Sequence, residues 1–184
     1  LQRVEHPPLE NDALKSMLYE IAPEYKIKIF EETGDVDFGY EIPNISRFRA
    51  NFFNQKNGIG AVFRQIPSKV LSFEDFEKFD APLPPVLKKL AMLHKGLVIV
   101  TGPTGSGKST TLATMLDYVN KNRRDHIITM EDPIEFVHES KNCLVNQREV
   151  GMHTKSFAAG LKGALREDPD VVLIGEMRDL ETIE

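Results

Sequence analysis

The stretch "VIVTGPTGSGKSTTL", residues 98–112, constrains this chain more than any other. Four apolar or β-branched residues run straight into a glycine-rich turn that ends in Lys108 and Ser109. Gly102, Gly107, Lys108 and Ser109 fit the spacing Gly-x-x-x-x-Gly-Lys-[Ser/Thr], a phosphate cradle wherever a buried strand feeds a helix. The pattern predicts a strand over 97–101 and a helix over 107–121. In that setting the backbone N–H groups of Thr104, Gly105, Ser106, Gly107 and Lys108 wrap a β-phosphate at the positive end of the helix. Lys108 then reaches the β/γ oxygens and Ser109 a Mg²⁺ ion, with Thr110 beside them in the first helical turn. An ordinary glycine-rich helix cap explains the glycines, but not the lysine and the hydroxyl.

The rest of the chain is expected to form two domains. Around the loop, helix 85–94, strand 126–130, helix 155–166 and strand 171–175 alternate, which argues for a parallel α/β sheet. Ahead of it, Leu14, Met17, Leu18 and Ile21 make one helical stripe, and Pro23 opens a second short helix. From Asp35 the period becomes two, with Val36, Phe38, Tyr40 and Ile42 alternating until Pro43 stops the strand. Two further strands flank Asn57-Gly58, a hairpin signal. The expectation is a small α+β domain over 1–80, a stiff linker at 81–85 carrying Pro82, Pro84 and Pro85, and an α/β domain over 86–184. Phe73, Phe76 and Phe79 have helical spacing and should cover the core near that linker, a partner-docking patch being the alternative.

Composition narrows the function classes. The net charge of −5 gives no overall basic footprint for nucleic acid, and the scattered prolines and glycines give no disordered composition. Cys143 is the only cysteine, which excludes an intrachain disulfide and a multi-cysteine zinc site and fits a reducing compartment. His94, His126, His138 and His153 lack metal-ligand spacing. No run approaches the roughly 18 apolar residues of a membrane span, and no signal-peptide pattern opens the chain, so the cytoplasm is the expected location.

A phosphate loop needs an acidic element at the end of a neighbouring strand to hold metal or water. In "DVVLIGEMRD" the strand residues are followed by Gly175 and Glu176 instead of the usual aspartate. A second cluster, Glu131, Asp132 and Glu135, follows "HIITM", where Pro133 should end the strand and leave the carboxylates at the ligand-binding edge of the sheet. A solvated acidic loop is the alternative. In the hairpin, a turn at Asn57-Gly58 pairs Asn51 with Arg64 and Arg49 with Ile66, so Arg49 and Arg64 are diagonal neighbours on one face. At roughly 7–8 Å the two guanidinium groups repel unless an anion or carboxylate lies between them. A nucleotide γ-phosphate is one such anion; a solvated pair on an exposed face is the other reading.

With these elements in place, the chain resembles the secretion ATPase superfamily, and within it the type IV pilus retraction ATPases known as PilT. The resemblance rests on "RFRANFFNQKNGIGAVFRQIPSKV", "GLVIVTGPTGSGKSTTLA", "ITMEDPIEFVH", "NQREVG" and "ALREDPDVVLIGEMRDLETI". It implies a PAS-like N-terminal domain, a RecA-like ATPase domain and a homohexameric ring that uses ATP and Mg²⁺ to withdraw pilin from the pilus base, the basis of twitching motility. The ring would work at the cytoplasmic face of the inner membrane, against the pilus platform and without direct nucleic-acid contact. The resemblance assigns Lys108 and Ser109 to the Walker A loop, Glu176 to an atypical Walker B element, and Glu131, Asp132 and Glu135 to the Asp box. Arg49 and Arg64 match arginines that approach the γ-phosphate. It implies Glu135 as the base that polarises water and Glu176 in the Mg²⁺ shell, with the two roles interchangeable. In the family, N-domain strands precede a segment like "LQRVEHPPL", and a histidine-containing box with the rest of the ATPase domain follows "RDLETIE". The chain is therefore expected to be part of a longer protein, with both domains incomplete.

Three function classes remain to be separated. A mechanochemical ATPase acting on protein leads, with a pilus-extension or type II secretion ATPase as its variant. A nucleic-acid translocase would need a local basic channel, for which Lys88, Lys89, Arg123 and Arg124 are the candidates. A nucleotide-sensing regulatory module without turnover would show strong burial of all three Asp-box acids or the loss of an arginine supplied in trans.

Overall fold

Proline and glycine punctuation places the first elements of the computed structural model, which describes residues 4–67, 69–78 and 84–177. Helix α1 (Asn11–Ile21) stops before Pro23, and α2 (Glu24–Thr33) ends on Gly34 at φ 77°, a left-handed cap whose N–H donates to Phe30 O at 2.8 Å. The period-two segments then form β1 (Asp35–Ile42), β2 (Ser46–Gln55) and β3 (Gly58–Ile66), an antiparallel sheet in the order β1-β2-β3. Leu18, Phe30, Val36, Phe38, Ala50, Phe52 and Ile59 build its core. Phe52 is 1% exposed and meets Phe38 edge-on at 5.0 Å and Phe30 at 6.3 Å. Phe52→Ala is expected to cost this unit about 3–5 kcal/mol, read from denaturant unfolding. An unchanged midpoint would contradict the packing described here.

The hairpin turn lies one residue earlier than the Asn57-Gly58 signal implies. Gln55 pairs with Gly58, so Lys56 and Asn57 make the turn and the register moves by two: Arg49 stands opposite Arg64, and Asn51 opposite Val62. The cause is tertiary. Gly58 opens β3 at φ 116°, where an added Cβ would lie 1.9 Å from Asn11 Oδ1 of α1, and the next amide, Ile59 N, donates to that oxygen at 2.9 Å. A shift of two preserves which face each side chain occupies, so the arginines still share a side.

The chain divides after Ile66 into two compact units, Leu1–Ile66 and Pro67–Glu184, and not at the prolines. Helix α3 (Phe73–Glu77) belongs with the second unit because its side chains are used there. It opens on a capping box between Ser72 and Asp75. Phe73, 1% exposed, packs on Tyr118 at 5.2 Å, while Lys88 of α4 (Pro84–Ala91) reaches Glu77 at 3.2 Å. Phe76 lies beside Phe73 at 6.5 Å; Phe79 and linker residues 81–83 lie outside the described residues. Then follow α5 (Lys108–Asn122), β4 (His126–Glu131), β5 (Leu144–Glu149), α6 (Phe157–Ala164) and β6 (Val171–Ile174).

The second sheet is parallel in the order β5-β4-β6, with β4 buried on both faces. Ile127 packs with Leu116 and Val119 of α5, whereas Ile128 and Met130 pack with Phe157 and Ala164 of α6. Two expectations change. Residues 97–101 belong to no strand, and Leu97 and Ile99 are 77% and 64% exposed. Apolar patterning states what a segment would bury, not which strand will bond to it. Conversely, β5 is a strand that "LVNQRE" hides, because its residues are mostly polar and serve a neighbouring loop.

Candidate functional site

The glycine loop ends on Gly107, φ 90°, which is the N-cap of α5 and contributes no side-chain cap. The first amides of a 15-residue helix therefore lack a capping side chain, and its first turn carries no acidic residue to neutralise them. Gly102 and Gly105 also take positive φ, 155° and 80°, and a Cβ on Gly102 would meet Ser106 Oγ at 2.8 Å. Lys108 Nζ donates to Gly102 O at 2.9 Å and Pro103 O at 3.0 Å, bending the lysine back over its own loop. Thr104, Gly105, Ser106 and Ser109 are exposed, while Gly107, Lys108 and Thr110 are half-buried. This loop can accept a polyphosphate: backbone donors and a cation converge there with no competing carboxylate in the helical turn.

Acidic residues close or follow the parallel strands at their C-terminal ends. Glu131 closes β4 and Glu149 closes β5, while Gly175 and the half-buried Glu176 follow β6. Gly175 N donates to Met130 O at 2.8 Å, and a Cβ there would come within 3.3 Å of that oxygen and 3.4 Å of Glu131 Cα. Glycine in place of an aspartate thus lets the chain leave β6 tight against the end of β4, and Glu176 emerges next to it.

The three acids of the other cluster diverge. Glu131 turns inward: Oε1 accepts from Thr129 Oγ1 at 2.7 Å and Gln147 Nε2 at 3.1 Å, and Oε2 accepts from Glu135 N at 3.3 Å. Burial pushes its carboxyl above the usual carboxylate range, opposed by those hydrogen bonds. With the folded pKa raised, protonated Glu131 favours the fold at low pH, and that contribution is lost as pH rises through the folded value. Asp132 is exposed and joined to Pro133 by a cis bond; Glu135 is half-buried. Asp132 is exposed and Glu131 and Glu135 are half-buried, which does not match the strongly buried trio of a turnover-free sensor.

In the first unit, Arg49 and Arg64 are direct cross-strand partners, closer than the diagonal expected from sequence, with Cβ atoms about 4.5–5.5 Å apart. Asp37, two residues into β1 on the same face, takes Arg49 Nε at 3.4 Å. Arg64 has no carboxylate partner among the described residues.

Two of the four residues of the candidate basic channel are spent on structure, while Lys89 and Arg124 are exposed. Lys88 is paired with Glu74 and Glu77, and Arg123, 9% exposed, is paired with Asp125 and donates to Leu93 O at 3.1 Å. The rings of His94, His126 and His153 also serve locally. His94 Nδ1 lies 3.3 Å from Arg123, and His126 bonds Glu167 O and Asn146. His153 Nδ1 accepts from Glu149 N, and His138 N donates to Gln147, burial depressing the His138 pKa. Sequence reasoning missed Thr129, Gln147 and Glu149. The signal for Gln147 and Glu149 lies in "NQREVG", a polar segment that pairs as a strand.

A profile of the family described as Type II/IV secretion system protein matches residues 32–184. The type IV pilus retraction ATPase PilT of Pseudomonas aeruginosa is 55% identical over 183 residues, covering 100% of this chain and 52% of that protein. A twitching motility protein of Neisseria gonorrhoeae is 50% identical over 183 residues, again 100% of this chain and 48% of the relative. Among solved structures, the pilus retraction motor PilT with bound ADP superposes with a TM-score of 0.83 at 48% identity, over 92% of this chain and 48% of that one. The Legionella pneumophila ATPase DotB gives 0.80 at 31% identity, over 97% and 50%. The mixed α/β architecture is thus that of the secretion ATPases, and the chain spans about half the length of these relatives.

Proposed function

We infer what this chain does from the family to which it belongs, the type II/IV secretion system proteins: it is the nucleotide-binding part of an ATP-hydrolysing motor for type IV pilus retraction. One observation carries the reading. The glycine loop with Lys108 opens a helix whose N-terminal amides lack a capping side chain, and so offers a polyphosphate its donors and its cation together. Ser109, exposed in the first helical turn, and Glu176, emerging past β6, are oxygen donors of the kind Mg²⁺ takes, and they are the residues that would hold it. The metal supplies charge neutralisation for the transferring phosphoryl group. Glu135 polarises the attacking water, a role it could exchange with Glu176, while Glu131 and Asp132 flank it. Arg49 and Arg64 supply positive charge to the γ-phosphate, from this chain or from another copy in a homohexamer. The ring engages the pilus machinery and its platform at the cytoplasmic face of the inner membrane. No helix among the described residues is long and apolar enough to cross a membrane.

The test is Mg²⁺-dependent ATP hydrolysis by the full-length gene product against protein concentration, with and without DNA. Specific activity that rises with concentration and ignores DNA is expected of a ring with composite sites. Stimulation by DNA would instead make this a nucleic-acid motor.

A further inference from the structure

Loop 131–138 is fastened to a strand that carries none of the roles assigned above. Residues two apart on a strand share a face, so β5 presents Gln147 and Glu149 together. The Gln147 amide spends all its groups on this loop. Its Nε2 donates to Glu131 Oε1 at 3.1 Å and to Phe136 O at 2.8 Å, and its Oε1 accepts from His138 N at 2.7 Å. Glu149, 3% exposed, adds a fourth point by accepting from Ile134 N at 3.1 Å. The loop is therefore pinned on both sides of Glu135, whose own N–H donates to Glu131 at 3.3 Å.

We propose that Gln147 is a positioning residue: by pinning Glu131, Phe136 and His138 it fixes where the Glu135 carboxylate stands against the attacking water. This rests on the reading of loop 131–138 as part of an ATP-hydrolysing site. The side-chain chemistry is specific. A carboxylate and a carbonyl each need a donor, and an N–H needs an acceptor, a set that a primary amide supplies from one planar group. A carboxylate of the same size would face two acceptors with no donor, and a methionine would keep the length while making none of the three bonds.

The experiment compares full-length wild-type protein with Gln147→Met and Gln147→Glu, reading kcat and KM for Mg-ATP together with hydrogen exchange of loop 132–138. Both variants should lose about tenfold or more in kcat, the factor for one lost hydrogen bond to a charged group. KM should stay within about twofold, because the side-chain hydrogen bonds of Gln147 all go to loop 131–138. Exchange in loop 132–138 should accelerate about tenfold while residues 102–110 stay as protected as before. An active wild type with both variants within twofold in kcat would overturn this proposal alone. So would a kcat loss matched by a rise in KM and faster exchange throughout, the signature of a merely structural residue. A folded wild type that binds nucleotide without turning it over would overturn the motor reading, and this proposal with it.

Discussion

Lys108→Ala is expected to abolish Mg²⁺-dependent ATP hydrolysis, a loss of at least about 10²–10³-fold in kcat. The lysine is the only side-chain cation in the loop, and in the proposed site its ammonium would meet the charge that builds on the β/γ oxygens. The structure adds a second consequence. Nζ donates to Gly102 O and Pro103 O, so the ammonium proposed to serve the phosphate also holds the loop in shape. Nucleotide affinity should therefore fall with turnover, and the glycine loop should exchange its amides faster. Phosphate release and binding of a fluorescent ADP measure the two effects separately. Hydrolysis within tenfold of wild type would mean that Lys108 is only a clasp.

Arg64→Ala carries the other large effect, and its signature is that activity and stability move apart. Arginines that neutralise the transferring phosphoryl group are worth about 10³–10⁵ in kcat, so turnover should fall by about a thousandfold. Affinity for ADP, which lacks the γ-phosphate, should change little. Stability should hold or rise, because Arg64 stands directly opposite Arg49 and like charges in that position destabilise a sheet. Arg49→Ala differs, since Arg49 is tied to Asp37 and its removal frees a carboxylate on the same face. A thermal melt and a turnover assay on Arg64→Ala decide the matter: loss of both together would make Arg64 a structural residue.

The parts of this molecule that were legible in sequence are those where one local rule acts alone. The period-two run from Asp35, the helical stripe of α1 and the glycine loop before α5 each declare themselves within about ten residues. What escaped was set from a distance. Asn11 of α1 captures Ile59 N and moves the hairpin turn by a residue. Phe73 finds Tyr118 and carries α3 into the second unit, although three prolines mark a later boundary. Residues 97–101 have the apolar content of a buried strand without a ladder of their own. The site shows the same division. The candidates Lys108, Glu131 and Glu176 come from a motif and from their places after apolar runs, whereas Gln147 and Glu149 matter because parallel pairing sets β5 beside β4, where their side chains meet loop 131–138. Polar residues on a strand look like surface until the loop they bond is known.

Restoration of pilus retraction tests the central claim most directly. The full-length gene product, expressed in cells that assemble type IV pili but lack their own PilT, should restore twitching, and the Lys108→Ala form should leave the cells piliated and immobile. Failure to restore twitching by a protein that hydrolyses ATP and is present at normal levels would contradict the retraction reading.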